Sequence, residues 1–93
     1  MAATIELLRG LQKDAARQCT ECLREHIADN TALLADLIDI AENMSAVRHA
    51  SPDHEELYQR AFQEVMSALL ITAVFTAELT KRPIPFAVAA SAN

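Results

Sequence analysis

The residues that stop helices are bunched in this chain. Its three prolines stand at positions 52, 83 and 85 and its single glycine at position 10. Two long stretches, 3–49 and 52–81, therefore hold almost nothing that interrupts a helix, and their Ala, Leu, Glu and Gln content favours helix over strand. At ~100° per residue, Leu8, Ala15, Cys19, His26, Leu37 and Met44 fall along one line, flanked by Ile5, Leu23, Leu33, Leu34 and Ala41. From Leu23 onward the spacing is regular: Leu23, Ile27, Asn30, Leu34, Leu37, Ala41 and Met44 step by four and three, as in helices packed side by side. The pattern predicts one helix over about 3–49, ~67 Å long at the usual rise. Asp29 and Asn30 are capping residue types, so a break near Asp29 is the alternative.

"HASPDHEE", residues 49–56, supplies a stop and a start. Ser51 is a good N-cap, Pro52 suits the first helical position, and Asp53, Glu55 and Glu56 favour the positive end of the helix dipole. A second helix over about 52–81 follows, with Tyr58, Phe62, Val65, Leu69, Thr72, Thr76 and Leu79 as its expected buried stripe. "RPIPF" closes it, because two prolines in three residues remove backbone donors. The domain reading is a helical hairpin over 1–82 and a Pro-containing extended C-terminal tail over 83–93.

Two antiparallel helices cannot cover their own apolar stripes, and 93 residues are few for a self-sufficient core. The expected fold is all-α, a long antiparallel hairpin pairing with a second copy as a homodimeric four-helix bundle. A three-helix bundle is the alternative if the first helix breaks near Asp29. Residues 65–77 are apolar nearly all round, and Leu70, Ile71 and Val74 lie away from the main stripe. They are the candidate surface for an amphipathic helix of another protein. That run of 13 residues between Glu64 and Glu78 falls short of the ~20 that cross a bilayer, so no membrane partner is expected.

The net charge of −5 opposes broad attraction to nucleic acid. Arg9, Lys13, Arg17 and Arg24 share an arc of ~80° on a continuous helix, which makes RNA binding a second alternative. Asp14 and Glu21 interrupt that band, and no aromatic residue in the first helix offers a stacking surface.

Cys19 and Cys22 are the only cysteines, and His26 follows at helical spacing. On an unbroken helix they share a side, where a second copy would complete a zinc-type donor set. A redox role needs the first cysteine at a helix N-terminus, and a continuous helix leaves Cys19 some four turns inside. Mid-helix Cβ atoms three apart stand about 5–6 Å from one another, beyond the usual disulfide reach. The expectation is therefore two packed cysteines in a reducing, cytoplasmic setting, with no leader segment.

Gln12, His26 and Asn30 fall on the apolar stripe and are assigned to fixing oligomer register. No catalytic constellation, phosphate-binding loop or cofactor motif is found. The functional expectation is a non-enzymatic cytoplasmic oligomerisation or interaction module. The alternative is a thiol- or zinc-based sensor using Cys19, Cys22 and His26.

Overall fold

In the computed structural model, which describes residues 2–83, the chain forms three helices: α1 (Ala2–Arg17), α2 (Thr20–Val47) and α3 (Pro52–Thr80). It is all-helical, with no strand among the described residues. The tail expected over 83–93 lies, beyond Pro83, outside the described residues.

The helix expected over 3–49 is two helices, and they part at Gln18 and Cys19 instead of near Asp29. The backbone hydrogen bonds explain the break. In a continuous helix the carbonyls of Ala15, Ala16 and Gln18 would accept from the amides of Cys19, Thr20 and Cys22. Here the Arg82 guanidinium donates to all three carbonyls, and the Gln18 amide tightens the last turn by donating to Ala15 at 3.1 Å. The Cys22 amide is satisfied by the sulfur of Cys19, the N-cap of α2. Asp29 and Asn30 sit inside α2, where the Asn30 side-chain amide donates to the His26 carbonyl at 2.9 Å.

α2 and α3 pack along each other as an antiparallel pair. The seam read from α2 is the one it turns inward: Leu23 and Leu37 are buried, and Ile27, Asn30, Leu34, Ala41 and Met44 half-buried. On α3 the expected stripe is displaced by one residue at alternate steps. Ala61, Ala68 and Phe75 are buried, while Phe62, Leu69 and Thr76 are exposed. Alanine at two of three inward steps lets the helix backbones approach closely, which leaves the bulkier neighbours on the flank.

α1 lies against the C-terminal half of α3. Ala15, Leu23, Val74 and Phe75 form the core there, with Leu8, Leu11, Leu70 and Ile71 packed on it. α1 covers only this end, so the molecule is long and thin, 62 × 31 × 16 Å. Its radius of gyration of 17.5 Å exceeds the about 12 Å of a compact chain this long.

The turn from α2 to α3 is held locally. Ser51 caps α3 by accepting from the His54 amide at 3.2 Å, and its hydroxyl lies 2.6 Å from the His54 ring Nδ1. Arg48 donates twice to Glu55, at 2.8 and 2.6 Å, and stacks 4.0 Å over the Tyr58 ring. The Arg48 hydrogen bonds, helped by one from Gln59, hold the Glu55 carboxyl at about 2, well below the usual carboxylate range.

Candidate functional site

The break between α1 and α2 places the only two cysteines at the first turn of a helix. Cys19 is exposed and extended, with φ −67° and ψ 158°; Cys22 is half-buried one turn on. Their Cα atoms stand 5.0 Å apart and their sulfurs are joined as a disulfide. The objection to such a bridge assumed helical geometry at both residues. Extended backbone at Cys19 removes it, because the Cα spacing falls inside the range disulfides use.

The Cys22 amide donates to the Cys19 sulfur at 3.0 Å. Cys19 thus holds the N-cap place that hydroxyl and carboxylate side chains usually take. Free amides and the positive end of the helix dipole stabilise a thiolate at that point. Leu23, the next residue after Cys22, is 0% exposed and packs with Ala15, Val74 and Phe75, so the turn carrying the sulfurs is anchored in the core.

Arg82 closes the site from the far end of the chain. Its Nη1 donates to the Gln18 carbonyl at 2.7 Å and the Thr20 hydroxyl at 3.2 Å, one residue to either side of Cys19. Nη2 reaches the carbonyls of Ala15 and Ala16 at 3.2 and 3.3 Å, and Nε pairs with Glu78 at 3.3 Å. In the sequence Arg82 is only the first residue of the "RPIPF" stop. Nothing local marks a residue that acts across more than sixty positions.

The other expected site residues are dispersed. His26 is exposed and meets the Phe75 ring edge-on at 5.6 Å. Among the described residues no group of three or more His, Cys, Asp or Glu side chains gathers as a metal site, and sulfurs bonded to each other are not thiolate ligands. Gln12 falls on α1, beyond the break, so it does not continue the line of His26 and Asn30. Val74 is buried in the core that α1 shares with α3, and Leu70 and Ile71 are half-buried against it, with Leu70 and Val74 facing α1 across a groove.

The basic band is also divided, because its arc assumed an unbroken helix. Arg24 is on α2, paired with Glu21 at 2.8 Å. Arg9 and Lys13 line a groove of about 560 Å³ between α1 and α3, with Lys81 opposite and Leu8, Val74 and Ala77 along it. α3 as a whole is long and apolar enough to cross a bilayer, with a window of mean hydropathy 1.4, a test the 13-residue run considered alone does not meet.

Compared with known proteins, the chain matches no family model, no curated protein and no solved structure.

Proposed function

We propose that this chain is a thiol–disulfide exchange module, with Cys19 as the attacking sulfur and Cys22 as the resolving one. The observation that carries the reading is the place of Cys19, exposed at the N-cap of α2 with the Cys22 amide on its sulfur. Reactive cysteines occupy such electropositive, accessible helix starts, whereas structural cysteines are buried.

In the reducing direction the Cys19 thiolate attacks a disulfide of a partner protein and releases one partner thiol. The Cys22 thiolate then attacks the Cys19 sulfur of the mixed disulfide and releases the second. Two electrons and two protons pass to the partner, and Cys19 and Cys22 end as a disulfide. In a reducing compartment that disulfide is a transient state, which suits turnover or sensing better than structural support. The test is trapping with glutathione disulfide. The Cys22→Ser chain should accumulate a mixed disulfide at Cys19, while wild type passes through to its internal disulfide; a Cys22→Ser chain that forms no adduct contradicts the reading.

A second proposal concerns the scaffold. Two copies pair through the uncovered apolar flank of the α2–α3 hairpin, as a homodimeric four-helix bundle. What supports it is the 16 Å thickness together with Ile38, Phe62 and Leu69, each 39–47% exposed, with Ile38 and Phe62 lining one shallow groove between α2 and α3. Monomeric soluble proteins rarely leave large apolar patches uncovered. Sedimentation of the full chain should give a dimer, and Phe62→Glu with Met66→Glu should give a helical monomer. A wild-type monomer without detergent contradicts pairing and leaves the flank to another protein's helix or to a bilayer.

A further inference from the structure

The exchange reading leaves open what sets the reactivity of Cys19, and the strongest candidate is a residue that touches neither sulfur. We propose that Arg82 is a positioning residue for the thiol site, holding Cys19 at the start of α2 and raising, by its charge, the fraction of Cys19 present as thiolate. The inference rests on the exchange reading and names what tunes it.

Three observations converge. First, Arg82 takes the carbonyls of Ala15, Ala16 and Gln18, which a continuous helix would use to bring Cys19 and Cys22 inside. Without that competitor the break loses its main stabiliser, and the N-cap position of Cys19 with it. Second, the guanidinium grips both neighbours of Cys19, through the Gln18 carbonyl and the Thr20 hydroxyl. A positive charge hydrogen-bonded to both neighbours of Cys19 favours the ionised form of the thiol between them.

Third, the orientation of Arg82 aims this charge. Nε is held by Glu78 at 3.3 Å, so the carboxylate lies at the back of the guanidinium and the forked end faces the break. Both side chains are only 18% exposed, so water and salt screen this charge less than they would at an open surface. The same guanidinium neutralises the carbonyl end of α1, whose negative pole would otherwise oppose a thiolate next to it. The other charged side chains about the break are Asp14 and Arg17 on α1 and Glu21 and Arg24 on α2, the last two paired with each other.

The test is the rate at which iodoacetamide alkylates Cys19 in the reduced full chain at neutral pH, read by peptide mass spectrometry, with the glutathione equilibrium of the same proteins. Arg82→Gln should slow alkylation about fivefold and shift the equilibrium toward the disulfide by a similar factor. Arg82→Lys keeps the charge but loses the fork that takes three carbonyls, so its rate should fall between wild type and Arg82→Gln. Glu78→Gln leaves Arg82 charged and unopposed, so its rate should exceed wild type; an unchanged rate overturns the charge effect, and this variant decides the matter if Arg82→Gln does not fold.

An activated wild-type Cys19 with an unchanged rate in folded Arg82→Gln overturns the role of Arg82 alone. Equal slowing in the Gln and Lys variants, or slowing in Glu78→Gln, overturns the charge effect. A wild-type Cys19 that alkylates no faster than glutathione overturns this inference together with the exchange reading.

Discussion

Between α2 and α3 the chain turns on its own neighbours: Ser51 caps, Pro52 starts the helix, and Arg48 and Glu55 lock across the corner at a separation of seven residues. Between α1 and α2 the chain turns on Arg82, which arrives from 62 to 67 residues away, and its cap is a cysteine. The first corner holds itself; the second is held by the tertiary fold. That difference teaches where function can be placed. A helix start maintained by distant groups leaves its own cap free to be chosen for reactivity, whereas a locally built corner spends its side chains on turning.

The comparison predicts unequal sensitivity to core damage. Leu23→Ala empties the only fully buried large side chain among the described residues, at the foot of the α1–α2 break, and should cost about 3 kcal/mol in urea unfolding followed by circular dichroism. A loss below about 1 kcal/mol would mean that the break does not depend on the core. Ser51→Ala should cost about 1 kcal/mol in the same measurement, the usual loss for an N-cap hydroxyl. It should leave the alkylation rate of Cys19 unchanged, since nothing from that corner reaches the sulfurs.

A smaller effect, set by pH, is expected at Glu55. Its folded carboxyl titrates at about 2 against an ordinary 4.5, because Arg48 hydrogen-bonds the ionised form. The contribution is complete above pH 4.5 and is lost as pH falls toward 2. Glu55→Gln should abolish that part of the acid sensitivity, and an identical acid profile in wild type and variant would show that the pair does not act.

The local corner was legible. Ser51 and Pro52 mark the start of α3 within the sequence, and the four–three steps from Leu23 to Met44 mark the face that α2 turns inward. The break at Cys19 was not, because no proline or glycine stands there and the competitor for its carbonyls is on another helix. That one unseen break displaced several readings at once. It moved Gln12 out of line with His26, divided the basic residues, and brought α1 alongside Leu70 and Val74. It also converted "CTEC" from a packed helical stretch into an exposed cap. On α3 the stripe is displaced because the small Ala61 and Ala68 occupy the seam, where close helix approach leaves no room for the bulkier Phe62 and Leu69.

The most direct test of the central claim is redox equilibration of the full chain against glutathione buffers, counting free thiols by mass at each ratio. A reversible two-electron transition between dithiol and internal disulfide is expected, with a midpoint between about −120 and −270 mV, the range of Cys-x-x-Cys oxidoreductases. A midpoint below about −300 mV, where structural disulfides lie, or a chain that never closes the bond between Cys19 and Cys22, would contradict the account.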